Sequence, residues 1–560
     1  MRPPELIGAT QAQLDELLAQ AKPSFSAQQY VLLEGVLGTF SYVMLALQNA
    51  KTSIKRFRKM LFGASTESRA NVLGVNRLKD NELTTQSAAP ADHDSENEVP
   101  SAKSDCEGGP SPTPAKVPVA ANKPKAGHGR NGAKAYANAP VIQVEVAGLR
   151  AGELCPDCNQ GKVYGCPPRT LVKVIGQPPL VATVYKLAQL RCHLCDAIFT
   201  GPMPAGVGSP KYDPSCASML ALLRYGCGMP FYRLEALQGS LNVPLPDATQ
   251  WEIVAKAVPG PRAAFEALIG QAAQGQLLHN DDTPARILEL IHQRAKLEAA
   301  GQSPSVKAIN TSGIVAQCQE RKMVLFFTGH AHAGQNLAKV LAYRVSELAP
   351  PMQMCDALAA NVCPELDTIL SHCLSHGRRK FVEVIEHFPT ECAYVIEVLA
   401  QVYGQDAHCR EYKMSPEQRL LHHQHASAPP MQALHQWMSE QIAQHRVEPN
   451  SGLGQALNYM LKHWRELTLF LRKAGAALDN NICERALKRA IRHRRNSLFY
   501  KTLNGAAIGD IYMSLIHTCE LGQINPFAYL QALQIHAQAV CANARLWLPW
   551  NYHEQLERLT

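Results

Sequence analysis

Apolar residues recur with helical spacing over the first 65 positions of the chain. Leu33, Leu37, Phe40, Met44, Leu47, Lys51, Ile54, Arg58 and Leu61 fall at alternating steps of four and three, and seven of these nine are apolar. That seam suits a coiled coil pairing two chains, and equally an amphipathic helix packed on its own chain. From Met203 to Gly270 the pattern is helical again, broken at Met229-Pro230 and Val258-Pro259. From Gly275 onward, strand-like runs alternate with helices. QLLHNDDT, KMVLFFTG and PPMQMCD look like strands, and the last two are followed by polar or helical stretches. A largely helical stretch from Phe381 to Leu478 separates them from a final helical part. The pattern predicts a multidomain α/β protein.

Composition changes this picture in one place. From Thr84 to Pro140 the chain is rich in Ala, Pro, Ser and Gly, with six acids and one lysine in Asp92–Glu107 and five basic residues in Lys116–Lys134. This reads as a flexible linker whose basic half, Arg130 included, either lies on a phosphate backbone or is merely solvated. Elsewhere 46% hydrophobic and 18% charged residues exclude a mainly disordered protein. A length of 560 residues suggests three or four units. The net charge of +8 permits a nucleic-acid partner without requiring one. The start, MRPPELIGATQAQLDELL, lacks the pattern of a signal peptide. The longest uncharged run near it, Gly35–Ala50, has 16 residues and is too short for a membrane span. Seventeen cysteines without an export signal are expected as reduced thiols in a cytoplasmic protein.

Two CxxC pairs stand out: Cys155-Pro-Asp-Cys158 and Cys192-His-Leu-Cys195, 33 residues apart. Two tight turns, each presenting two thiolates, can close a tetrahedral structural zinc site, and Val-, Leu- and Thr-rich strands between them would make a zinc ribbon. Cysteines used only as small core residues would not predict the paired spacing.

Acids at strand ends carry the other candidate chemistry. Asp281 and Asp282 end one run, Asp356 ends another, and Glu484 opens a helix in LDNNICERALKRAIRHRRNSLFYK. Three carboxylates brought together would bind two divalent ions suited to displacement at phosphorus, magnesium or manganese by their hard oxygen ligands. The plainer alternatives are turn residues at the strand ends and a capping box from Asn481 to Glu484. Cys483–Lys501 holds seven basic residues against one acid. Glu484, Lys488 and Arg492 share a helix face with Arg485 and Arg489 beside it, and Arg494 and Arg495 follow. That face would hold phosphates, or be plain solvated surface. His330, His332, His408 and His422–His425 read as surface or DNA-facing residues, not a metal site.

At these residues the chain resembles transposases of the IS66 family of bacterial insertion sequences, in the branch where one long protein carries all parts. FRKMLFGASTES, GHGRNGAKAY and the paired CxxC motifs resemble the family's N-terminal helix end, basic segment and zinc domain. HNDDTPARIL, MQMCDALAAN and LDNNICERAL resemble its three acidic motifs, which implies Asp281, Asp356 and Glu484 as the metal-binding catalytic triad. Asp282 stands where a glutamate is common, and Arg492-His-Arg-Arg-Asn496 where many members have a Gly-Arg-Lys-Asn stretch. Cys373-Leu-Ser-His376-Gly-Arg-Arg-Lys resembles a Cys-x-x-His-x-Arg-Arg stretch, so His376, Arg378 and Arg379 are expected beside DNA.

The resemblance implies a ribonuclease-H-like catalytic core over 275–382 and 479–535, interrupted by an all-helical insertion at 383–478. Ahead of it would lie a helical, coiled-coil dimerisation or DNA-binding region (1–70), the linker (84–140), a zinc ribbon (150–202) and a helical DNA-binding connector (203–274). A C-terminal tail (536–560) would follow. It also implies double-stranded DNA as partner, a homodimer or larger assembly, accessory proteins of the element as a further partner class, no membrane, and a place at the bacterial nucleoid. Two rival functions stay open: a non-catalytic zinc-ribbon DNA-binding protein, and a metal-dependent nuclease that cuts without joining.

Overall fold

The computed structural model describes residues 150–166, 177–191, 193, 198–208, 210–302, 308–362 and 367–559, with residue 141 and short pieces between 18 and 37. The heptad positions beyond Leu37, the 84–140 segment with Arg130, and Cys192 and Cys195 lie outside the described residues. Among the described residues no helix is long and apolar enough to cross a membrane.

Two compact units divide the chain: Gly377–Lys462 grouped with Met1–Ala88, and Ala89–His376 with His463–Thr560. The larger begins, among the described elements, with an antiparallel pair, β1 (Gln189–Arg191) and β2 (Ile198–Thr200). These are the only strands the described part of the expected ribbon contains; 177–188 runs without regular structure. Four helices follow: α1 (Pro214–Ala221), α2 (Phe231–Ser240), α3 (Asp247–Lys256) and α4 (Pro259–Ala272). The Asp213 side chain accepts from the Ser215 amide and Pro214 fills the first turn, so the start of α1 is fixed locally.

A five-stranded sheet then forms from β3 (Leu277–Pro284), β4 (Asn310–Cys318), β5 (Arg321–Gly329), β6 (Met352–Cys355) and β7 (Ile369–His372). Helix α5 (Leu288–Ala299) joins β3 to β4, and α6 (Ala333–Leu341) joins β5 to β6. The spatial order is β5-β4-β3-β6-β7, with β3, β4 and β5 antiparallel in turn and β6 and β7 parallel to β3. Helix α7 (Leu374–Val384) starts two residues after His372, the end of β7, and the division between the two units falls within it.

The smaller unit's described helices are α8 (Pro389–Glu411), α9 (Pro416–Ala426), α10 (Ala428–Ala443) and α11 (Gly452–Lys462). Val395, Leu399, Met431, Leu434, Met438, Leu457 and Met460 are buried within it. A Cβ on Gly377 would stand 2.5 Å from Met460 Sδ, so only glycine lets α7 lie this close to α11. Buried Asp406 meets Arg419, Arg410 and His423, which outweigh its desolvation and hold its carboxyl below the ordinary range. His423 is 1% exposed and its Nδ1 lies 2.8 Å from Ser427 Oγ, so the expectation that the histidine-rich run faces outward fails there. A charge partner and a hydroxyl draw it inward.

The chain returns to the sheet unit through α12 (Trp464–Leu467), followed by α13 (Asn481–Ser497), α14 (Leu503–Leu521), α15 (Pro526–Ile535), α16 (Ala537–Ala542) and α17 (Tyr552–Leu559). The helical insertion is thus bounded at 377 and 462 rather than 383 and 478. The Leu374 amide bonds Leu478 O at 3.0 Å, which ties the end of the 463–478 segment to the sheet unit. The C-terminal segment is no tail, because Val540, Trp547, Leu548 and Tyr552 are buried in one core with the sheet. Leu220, Leu234, Val254 and Leu268 of α1–α4 share that core, so these helices of the 203–274 region pack into one body with the sheet.

Helix α14 covers the edge strand. Its Thr518, Ser514 and Asp510, four residues apart and all buried, accept from the amides of Val324, Phe326 and Thr328 on β5. One helix stripe thereby satisfies the outward donors of every second strand residue.

Candidate active site

Register places the three acids. Asp281 stands opposite Gly313 on β4, while the parallel pairing of His279 with Met354 carries β6 so that Asp356, one residue past its end, comes beside Asp281. The buried Asn361 Nδ2 reaches both carboxylates, at 2.6 Å from Asp356 Oδ1 and 3.3 Å from Asp281 Oδ1. Asn361 is itself fixed, because its carbonyl accepts from Asn280 Nδ2 (2.7 Å) and Gln353 Nε2 (2.8 Å).

Glu484 arrives from the first turn of α13. Asn480, just before that helix, sends its side chain to the sheet instead of capping. Its Nδ2 donates to Asn280 O at 3.1 Å and its Oδ1 lies 3.1 Å from His279 Nδ1. Gly313 permits the close approach: an added Cβ would fall 2.9 Å from Leu487 Cδ2, and Cys483 Sγ donates to the Gly313 carbonyl at 3.2 Å. Glu484 Oε1 is buried without a hydrogen-bond partner and faces the equally unpartnered Nδ1 of His376 at 3.8 Å. The capping-box alternative for Glu484 therefore does not hold.

Electrostatics marks the same spot. Burial pushes the Asp281 carboxyl up to about 7, and the charges of Asp356, Glu484 and Asp282 push the same way against a hydrogen bond from the Asp282 amide. His279 is driven down to about 4, chiefly by burial, so it is a neutral ring below the site. A half-buried cluster of mutually repelling carboxylates with an orphaned oxygen fits hard divalent cations.

Residues 211–508 match the family described as Transposase IS66 family. The chain belongs to that family. Its curated relatives include three uncharacterised proteins of Sinorhizobium fredii. One, y4jD, is 30% identical over 33% of this chain and 36% of its own length. A second, y4hP, is 24% identical over 60% and 62% respectively. A third, y4qI, is 27% identical over 33% and 34%. The matched stretches thus span from about a third to three fifths of the relatives' lengths. No solved structure matches.

The basic residues of this IS66-family chain divide into two sets. Arg485, Lys488, Arg492 and Arg495 are exposed along α13 at spacings of three and four, one outward stripe. Arg489 and Arg494, expected beside them, are held by protein. Arg489 pairs with Glu520 and donates to Gly226 O at 3.1 Å; Arg494 donates to Pro284 O and lies 3.4 Å from Thr283 Oγ1. Each completes the packing of α13, so neither is free for DNA. Arg378 and Arg379 are half-buried on α7 in the smaller unit, whereas His376 belongs to the unit of the three acids.

Two roles escaped the sequence. Asp282, next to the triad, points to the other sheet face: it accepts from Ser312 Oγ (2.7 Å) and the Ala333 amide (3.0 Å), and lies 3.0 Å from His332 Nδ1. It closes the start of α6, and His332 is engaged there instead of being a plain surface residue. Asn361 gave no signal beyond being an amide five residues after an acid.

Cys155 and Cys158 lie in a tight turn, with the Cys155 amide donating to Gly161 O at 2.7 Å and the Asn159 amide to Cys155 O at 2.8 Å. Asn159 takes a left-handed φ of 53°. Hydrogen bonds from the Gly161 and Gln160 backbone, then from Cys155, hold the Cys158 thiol below its ordinary range. Such a turn suits half of a thiolate zinc site.

Proposed function

We propose that this protein is a DNA transposase that binds the terminal inverted repeats of its insertion sequence, cuts at the ends and joins the freed 3′ hydroxyls to target DNA. The observation that carries this reading is that Asp281 and Asp356, from two strand ends, share the Asn361 amide while the charge of Glu484, from a helix start, acts on Asp281. The strand order β5-β4-β3-β6-β7, with its antiparallel and parallel halves, supports reading the sheet as a ribonuclease-H-like core. Two magnesium or manganese ions held by these three carboxylates would supply the charge that activates the attacking oxygen and stabilises the leaving one.

The protein's own groups do the rest. Asn361 fixes the spacing of Asp281 and Asp356. Asp281, with its carboxyl pushed up to about 7, would give its proton to solvent if it served as a ligand. Arg485, Lys488, Arg492 and Arg495 bind backbone phosphates, which positions DNA without reading its bases. His376 stands close enough to Glu484 to orient it or to meet a phosphate oxygen. Cys155, Cys158, Cys192 and Cys195 would hold one structural zinc ion, and the N-terminal seam would pair protomers on the two ends of the element.

The test incubates the full chain with labelled element-end DNA, a target plasmid and magnesium. Joined product is expected from wild type and not from Asp281→Asn. Cut but never joined product would assign a nuclease, and end binding with neither would remove catalysis from the reading.

A further inference from the structure

A second group of ligating side chains lies in the same unit as the three acids and is used by none of the roles above. His372 closes β7 and is only 4% exposed, yet its Nδ1 has no hydrogen-bond partner. His463, the residue before α12, and Glu466 within α12 stand against it. One ligand atom from each of the three lies within 4.8 Å of the others. The two imidazoles meet edge to face with centroids 5.1 Å apart, and Ser371 Oγ donates to the Glu466 carbonyl at 3.4 Å, which fastens α12 to β7.

The chemistry of these donors is specific. A buried imidazole nitrogen without a proton donor or acceptor is rare in a settled interior. Burial, then the neighbouring His463, keeps the His372 pKa below the ordinary histidine range, although Glu466, Asp356 and a hydrogen bond to the Cys355 backbone pull it up. The ring is therefore neutral and its lone pair is available, as metal ligation requires. Two imidazoles and one carboxylate are borderline ligands that favour zinc-class ions over magnesium.

We propose that His372, His463 and Glu466 form a binding site for a first-row transition ion of the zinc class, separate from the three-carboxylate centre. Ligand atoms around tetrahedral zinc are about 3.3 Å apart, so the side chains need only draw together, and a fourth position stays open to water. The ion would pin the end of β7 to α12, one residue before Cys373, whose sulfur accepts from the Asn480 amide at 3.2 Å. The site would thereby brace the support of α13.

The test measures metal content on untagged full-length protein, loaded with zinc or cobalt and freed of loose metal on a weak chelating column. His463→Ala and Glu466→Gln are each expected to hold one zinc equivalent fewer than wild type. Their cobalt forms should lose a weak visible band of nitrogen and oxygen ligation while keeping any thiolate charge-transfer band. Cys158→Ser should show the opposite spectral loss, and Asp281→Asn should keep both bands. Unchanged zinc content in both His463→Ala and Glu466→Gln would overturn the site, as would loss of the same equivalent in Asp281→Asn. Circular dichroism identifies a variant that has not folded, and the other variant then decides.

Discussion

On the side of β3 that faces α13, Asp281 is left with two carboxylates for neighbours and a carboxyl pushed up to about 7. On the side that faces α6, Asp282 accepts from Ser312 and the Ala333 amide beside His332. Strand alternation alone separates the two, since successive side chains point to opposite faces. One face stores unfavourable electrostatics that a proton or a cation relieves, while the other spends the same functional group on closing a helix. A carboxylate's role here is set by what lies across the sheet, not by its place in the motif.

The largest expected effect tests that contrast directly. Asp281→Asn should lower strand transfer by about three orders of magnitude or more while leaving thermal stability equal or higher, because a repelling charge is removed. Asp282→Ala should do the reverse, costing roughly 1–3 kcal/mol of unfolding free energy through the lost cap and orphaned donors. Paired denaturation and joining assays read both, and equal stability losses in the two variants would break the comparison. Next in size is Gly313→Val, whose Cβ meets Leu487 at 2.9 Å. It should cost about 1–3 kcal/mol by displacing α13, with partial recovery in the double variant Gly313→Val/Leu487→Ala. No recovery would mean that some other contact sets the approach of α13. The smallest effect sharpens the division along that helix. Arg492→Ala should weaken DNA binding and reduce the salt slope by about one, with stability unchanged. Arg489→Ala should destabilise the fold and leave the slope alone. Filter-binding titrations across salt concentrations, with melting curves, separate the two.

Much of this was legible in the sequence, for physical reasons. KMVLFFTG holds a continuous apolar run because the middle of β5 is buried, so it reads as a strand without help, whereas QLLHNDDT has only Leu277 and Leu278 apolar and buries polar His279 and Asn280 beside them. Strand β4, NTSGIVAQC, escaped notice because it starts with three polar residues that are buried against Asp282, Thr328 and Asn336 rather than exposed. Strand β7 has only four residues, too few to carry a period. The three acids stood out by motif, but Asn361, Asp282 and Arg489 owe their roles to partners up to hundreds of residues away. Only the fold brings those partners near. The boundary of the helical insertion differs for the same reason: 463–478 continues the helical pattern of what precedes it, and its bonds to Leu374 and Ser371 assign it to the sheet.

The Thr518, Ser514 and Asp510 stripe on α14 has a consequence for how this chain meets others. An uncovered outer strand is a template on which a foreign strand can add. Here the alternate amides of Val324, Phe326 and Thr328 on β5 already donate to a hydroxyl or a carboxylate fixed on a buried helix, so that stretch of the border offers no ladder to extend. Copies of the protein that gather on DNA at high local concentration have no sticky seam along β5. Any contact between copies through this border must be made by side-chain surfaces.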